Sequence, residues 1–278
     1  MTSRLAPTVR LLHGADLPQV GLGTWPMKDA EAERVVADAI TAGYRLIDTA
    51  QAYGNEGGVG RGLKASGIPR EDLFITSKFG KAWHGRDLVK QAYEQSLDLF
   101  RVDYLDLFLI HWPAPRQNRY VEAWQGLVDL LEAGRLKAIG TSNFKPAHLE
   151  RIIAETGVIP DVNQIQLSPA LARTEPRAYH SAHGIVTGSY SPLGGDGAYV
   201  LNAPAVRAIA EQSGRTPAQV VLRWHIELGL VAVPKSSSAE RLRSNLDIFD
   251  FDLTTEQVQM LSDLDRGEAA AKDSDLHI

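Results

Sequence analysis

The sequence predicts an α/β protein: a closed (β/α)8 barrel of the TIM type, with an N-terminal β-hairpin and extra helices near the C-terminus. Three observations predict it. Short apolar runs alternate with amphipathic stretches from Val20 onward without a break. The 278 residues suit one barrel of roughly 250. The competing topology, an open doubly wound sheet, would want Gly-x-Gly-x-x-Gly after its first strand, and Val20 to Asp29 does not supply it. No internal repeat, low-complexity tract or linker divides the chain, so residues 1–278 read as one domain.

Thr8–Leu12 and Leu17–Val20 flank His13-Gly14-Ala15-Asp16 and predict a hairpin. Val20–Thr24 is the first buried strand. Asp29–Ala42 follows as a helix with Val35, Val36, Ala39 and Ile40 on one face, ended by Gly43. The second strand, Tyr44–Asp48, leads to a helix near 56–66. The third, Leu73–Lys78, leads to one near 86–100. The fourth, Tyr104–His111, precedes a helix near 119–133 whose Val121, Trp124, Val128 and Leu131 recur at helical spacing. Leu136–Gly140 is the fifth strand, with a helix over Pro146–Glu155. Val162–Gln166 is the sixth, with a helix near 174–183. Ile185–Tyr190 is the seventh, followed by two helical stretches. The second of these is capped by Thr216 with Pro217 at its first position and stops at Gly229. Leu230–Val233 is the eighth strand, and a helix begins near Ala239. Thr254-Thr255-Glu256-Gln257 opens a last helix as a capping box.

Composition narrows the function. With 44% hydrophobic and 23% charged residues, the chain is an ordinary globular one. A net charge of −5 argues against nucleic-acid binding, which wants a basic face. The absence of cysteine removes disulfides, a catalytic thiol and thiolate-held metal. Met1–Gly14 lacks the apolar core of a signal peptide, and the apolar runs are strand-sized, so a cytoplasmic monomer without membrane contact is the expectation.

Three consecutive strands end in ionisable residues: Asp48, Lys78 and His111, with Tyr53 in the loop after the first. Singly, each has an ordinary explanation as a cap, a surface aromatic or a solvated strand end. Together they would gather on the rim where barrels keep their chemistry. Tyrosine is a poor acid, with an unperturbed pKa of about 10, and a nearby ammonium lowers that value. Asp48–Lys78–Tyr53 is therefore suited to giving a proton to a developing alkoxide, with His111 orienting a carbonyl. The electrophile or hydride must then come from a cofactor. Later strand ends offer ways to hold one. Ser142, Asn143 and Gln164 carry hydroxyl and amide groups, and Tyr190 offers an aromatic face. Pro234-Lys235-Ser236-Ser237-Ser238-Ala239-Glu240-Arg241 sets two cations and three hydroxyls at a helix start, a phosphate site by charge and by free N–H groups. His180 and His183 have no third ligand and lie on an outer helix, so no metal site is expected. No Gly-x-Ser-x-Gly supports a serine hydrolase.

An ordered set of short motifs runs along the chain. It comprises Gly21-Leu-Gly-Thr-Trp25, Ile47-Asp-Thr-Ala50, Ala52-Tyr-Gly-Asn-Glu56, Ile110-His-Trp-Pro113, Ile139-Gly-Thr-Ser-Asn-Phe144, Val162-Asn-Gln-Ile165, Tyr190-Ser-Pro-Leu193, Val233-Pro-Lys-Ser236, Asn245 and Phe249-Asp-Phe-Asp-Leu253. On these the chain resembles the aldo-keto reductases, in particular their bacterial, 2,5-diketo-D-gluconate reductase-like members. The resemblance implies NADPH-dependent reduction of aldehydes and ketones to alcohols. It implies Asp48, Tyr53, Lys78 and His111 as the catalytic tetrad, with Tyr53 as proton donor. It further implies Ser142, Asn143 and Gln164 on the nicotinamide amide and Tyr190 stacked on its ring, with Ser191 and Leu193 beside the cofactor. Lys235, Ser236, Ser238 and Arg241 would take the 2′-phosphate and Asn245 the adenine. Trp25 and Trp112 would wall the substrate pocket. Gly80 stands where the family often has a tryptophan, with Trp83 three residues on, and Ser244 stands where it often has a glutamate. The stretch after Asp265 is too short for a long closing loop. Trp124 and Trp224 read as core. Two alternatives remain: a Schiff-base lyase using Lys78, and a non-catalytic barrel that senses NADPH.

Overall fold

The computed structural model describes residues 5–276; of the expected 1–278 span, residues 1–4 and 277–278 lie outside the described residues. Strands β1 (Thr8–Arg10) and β2 (Asp16–Pro18) pair antiparallel as the expected hairpin. Eight parallel strands follow: β3 (Gly21–Gly23), β4 (Leu46–Asp48), β5 (Phe74–Phe79), β6 (Leu105–Ile110), β7 (Leu136–Ser142), β8 (Val162–Gln166), β9 (Val186–Tyr190) and β10 (Val231–Ala232). Each is hydrogen-bonded to the next in chain order. The parallel bridge Val20–Ala232 and the bond from Gly23 N–H to Pro234 O (3.0 Å) join the two ends into a barrel. The strands are buried along nearly their whole length, as continuous apolar runs such as Leu105–Ile110 require when both faces are covered.

The helices form the outer layer. In order they are α1 (Asp29–Ala42), α2 (Glu56–Ala65), α3 (Arg86–Phe100), α4 (Tyr120–Glu132), α5 (Pro146–Thr156), α6 (Thr174–Ala182), α7 (Ala198–Leu201), α8 (Pro204–Ser213), α9 (Pro217–Glu227), α10 (Ala239–Leu246) and α11 (Thr255–Ser262). Helix α1 buries Val35, Val36, Ala39 and Ile40 and ends on Gly43 in the left-handed region, φ 114°. Helices α1 and α2 approach so closely that a Cβ at Gly58 would collide with the Asp29 carbonyl oxygen. Capping boxes at Thr216–Gln219 and Thr254–Gln257 open α9 and α11. Between β9 and α9 there are two helices rather than the one expected: α7 is a single turn between Gly197 and Asn202, too short to show a period. Trp124 and Trp224 are fully buried in the core. The segment beyond α11 is pinned to the rim. Lys145 Nζ, just before α5, pairs with Asp273 (2.7 Å) and Asp275 (2.5 Å), and His148 Nε2 lies 3.0 Å from Asp275. Among the described residues no helix is long and apolar enough to cross a membrane.

Candidate active site

The carboxyl ends of the strands gather the tetrad. Lys78 projects from β5 into the barrel mouth with only 1% of its side chain exposed. Its Nζ donates to Asp48 Oδ1 at 2.6 Å and to the Thr49 carbonyl at 2.9 Å. Tyr53 lies beside the same ammonium, with Lys78 Nζ 5.5 Å from its ring centroid. Tyr53 sits on a 3₁₀ turn, Gln51–Tyr53, held by Asn55: Thr49 Oγ1 donates to Asn55 Oδ1 (2.6 Å), and Asn55 Nδ2 donates to the Met27 carbonyl (3.0 Å). His111 follows β6 directly, its ring edge-on to Tyr53 with centroids 5.7 Å apart. Trp25 lies on the other side of Tyr53, 5.2 Å away and 61% exposed, and Trp112 stands beside His111 at 6.4 Å. These six residues lie together at one end of the barrel, as the strand-end pattern predicts.

Burial alone would strip Lys78 of its proton, but Asp48 and Tyr53 reverse the sign and hold its pKa above the ordinary value. Lys78 is therefore a buried cation, unlike the neutral amine that Schiff-base chemistry needs. For Tyr53 the expected direction is wrong. Burial raises its pKa, the Lys78 ammonium lowers it and Asp48 raises it, and burial dominates, so the phenol stays above its ordinary value. Lys78 restrains the rise without overturning it. The phenol is thus protonated throughout the neutral range.

The remaining predicted positions divide into two groups. Ser142 and Asn143 at the end of β7, Gln164 on β8 and Tyr190 on β9 lie beside the tetrad and are already linked. Asn143 Nδ2 donates to the His111 carbonyl (3.0 Å), Tyr190 Oη donates to Asn143 Oδ1 (2.8 Å), and Ser142 Oγ donates to the Gln164 carbonyl (2.9 Å). Gln164 Nε2 donates to Asp48 Oδ2 at 2.7 Å, a contact that sequence gave no sign of, since 116 residues separate the two. Ser191, with φ 52°, and Leu193 lie in the turn after β9.

The second group follows β10. Lys235 and Arg241 are exposed, Ser236 is buried, and Ser238 caps α10 by accepting from the Arg241 N–H at 3.4 Å. Asn245 is buried on α10 near Tyr44, whose hydroxyl donates to the Leu242 carbonyl at 3.2 Å. Two cations, hydroxyls and the first-turn N–H groups of α10 form a donor set that fits a phosphate monoester. Trp83, part-buried, packs against the core from the 3₁₀ turn Lys81–Trp83. His180 is consumed internally, by Asn163 (2.9 Å) and Thr187 (2.9 Å).

Comparison with known proteins decides the family. The model of the Aldo/keto reductase family matches residues 19–266. The chain belongs to the aldo/keto reductase family. An aldo-keto reductase of Mycolicibacterium vanbaalenii is 50% identical over 96% of this chain and 95% of its own length. Methylglyoxal reductase DkgA of Escherichia coli is 43% identical over 97% of this chain and 98% of its own. Among solved structures, a mutant of Gox0644 in complex with NADPH superimposes with a TM-score of 0.93 at 42% identity, covering 99% of this chain and 100% of that one. As a member of this family the protein is an oxidoreductase acting on carbonyl compounds, built on the family's (β/α)8 barrel.

Proposed function

We propose that the protein reduces small aldehydes and ketones to alcohols with NADPH, using Tyr53 as the proton donor. The observation that carries the reading is the buried ion pair of Lys78 and Asp48 against the Tyr53 hydroxyl, on one rim with His111. When bound, NADPH supplies the hydride that the carbonyl carbon receives. The chain's own residues handle everything else. Tyr53, protonated because burial keeps its pKa high, gives its phenolic proton to the carbonyl oxygen as that oxygen gains charge. The phenolate left behind rests against the Lys78 ammonium, which Asp48 and the Thr49 carbonyl keep charged and fixed. His111, edge-on to Tyr53, orients the carbonyl oxygen between the two rings, and Trp25 and Trp112 wall the space above.

The cofactor contacts follow the two groups of residues. Ser142, Asn143 and Gln164 would meet the nicotinamide carboxamide, and Tyr190, with Ser191 and Leu193, its ring. Gln164 Nε2 spends one of its two protons on Asp48, which leaves its carbonyl oxygen and its second N–H for the carboxamide. Lys235, Ser236, Ser238 and Arg241 would take the 2′-phosphate, and Asn245 the adenine. The NADPH complex of Gox0644 and the methylglyoxal reductases among the relatives support this cofactor and a small dicarbonyl substrate class.

The test follows NADPH oxidation against methylglyoxal and a panel of simple aldehydes and ketones, beside the Tyr53→Phe variant. Turnover is expected, and the variant should lose about 10²-fold or more in kcat while still binding NADPH. A variant that kept most of its kcat would remove Tyr53 from the role. Saturable NADPH binding without turnover on any carbonyl would favour the sensing barrel instead.

A further inference from the structure

The proposed phosphate cradle contains a charge of the wrong sign. Glu31, in the first turn of α1, reaches across the barrel's closing seam to the loop between β10 and α10. Its Oε1 accepts from Ser237 Oγ at 2.7 Å and lies 4.0 Å from Lys235 Nζ. Lys235 Nζ in turn donates to Ser237 Oγ at 2.7 Å. The three side chains close a ring in which the only proton of the Ser237 hydroxyl points at a carboxylate. Lys235 and Glu31 are 38% and 37% exposed, and ion pairs that wet contribute little to stability. Their arrangement matters more to what enters the cradle.

We infer that Glu31 is a coenzyme-specificity residue, which opposes a 2′-phosphate and favours a 2′-hydroxyl, so that NADPH and NADH are only narrowly discriminated. The inference rests on the phosphate reading of this loop. A phosphate monoester carries between one and two negative charges near neutral pH. Seated on Lys235, it stands within a few ångströms of the Glu31 carboxylate and competes with it for the ammonium and for the Ser237 proton. The dianion that prevails above the second phosphate pKa of about 6 has no proton to donate to the carboxylate. The ribose 2′-hydroxyl of NADH carries no charge and can donate to Glu31 directly. Arg241, exposed in the first turn of α10, is a second cation at this helix start, so the cradle admits NADPH while Glu31 lessens its advantage.

Dissociation constants for NADPH, NADH and the fragment 2′,5′-ADP, measured by calorimetry without any substrate, test this on the intact protein. The variants are Glu31→Gln, isosteric and half exposed, and Glu240→Gln, which removes an exposed negative charge one residue beyond the Ala239 start of α10. Removing a like charge at this distance in a wet site predicts that Glu31→Gln binds NADPH and 2′,5′-ADP about fivefold tighter. NADH should bind no better, so the ratio of the NADH to the NADPH constant rises by about the same factor. Glu240→Gln should move that ratio less than about twofold. An unchanged or lower ratio in Glu31→Gln, or an equal rise in Glu240→Gln, would overturn the role of Glu31 while leaving the cradle intact. Failure of the folded wild type to bind 2′,5′-ADP at all would overturn the cradle and this inference with it.

Discussion

Replacing Lys78 by methionine isolates what the buried ion pair does. Asp48 keeps the bond from Gln164 Nε2 but loses its ammonium partner, at a site where both side chains are almost wholly enclosed. At 2.6 Å the pair attracts by roughly 6 kcal/mol at an effective dielectric of ~20, before the opposing cost of desolvation. Removing one member of such a pair typically costs about 3–5 kcal/mol. At ~2–4 °C per kcal/mol for a chain of this size class, Tm should fall by roughly 10 °C in a thermal melt at neutral pH. The double variant Lys78→Met/Asp48→Asn removes both charges and should recover most of the lost Tm. Turnover should fall by about 10²- to 10⁴-fold in both variants, since neither retains a cation beside the Tyr53 hydroxyl. A double variant as unstable as the single one would refute the claim that Asp48 and Lys78 compensate each other. A single variant with normal turnover would refute the claim that the ammonium serves the tyrosine.

Two further outcomes follow from packing and burial. Glu56 is buried at the start of α2, accepting from Ser77 Oγ (2.5 Å) and Ser96 Oγ (3.0 Å), and burial raises its pKa against those two hydroxyls. A raised folded pKa means stability that is present in acid and lost as pH rises through that value. The Tm advantage of Glu56→Gln over wild type should therefore grow from pH 4 to pH 8, and a flat difference would show that Glu56 does not titrate in the fold. Gly58→Ala places a methyl group against the Asp29 carbonyl oxygen; overpacking of about 1–3 kcal/mol should outweigh the ~1 kcal/mol helix-propensity gain, so a raised Tm would contradict the close approach of α1 and α2.

Which of these features sequence reveals depends on how far apart their partners lie along the chain. Asp48, Lys78 and His111 are legible because each ends an apolar run, and strand ends in a parallel barrel face one rim. Val162–Gln166 is bounded as expected because its apolar and amide residues stand between a helix-ending Gly157 and a loop. Helix α7 escaped notice because four residues cannot display a 3.6-residue period. The contacts of Gln164 with Asp48 and of Glu31 with Ser237 join residues 116 and 206 apart, and no local pattern announces either. The Tyr53 pKa needed a quantity that sequence does not carry, the depth of its burial weighed against the cation beside it.

The seam where β3 meets β10 is secured by few bonds: the Val20–Ala232 bridge, the Gly23–Pro234 bond and the Ala232 N–H to the Gln19 carbonyl. It joins the first and last strands of the barrel, the contact of greatest sequence separation and of greatest loop-closure entropy. Glu31 and Lys235 face each other across it. By the proposed reading, a dinucleotide seated there would act as a clasp on the barrel's hoop, raising the cost of opening by RT ln(1 + [L]/Kd), about 2.7 kcal/mol at a hundredfold excess over Kd. The lifetime of the protein would then be tied to the size of the coenzyme pool, a fall in that pool thinning the enzyme population as well as slowing each copy.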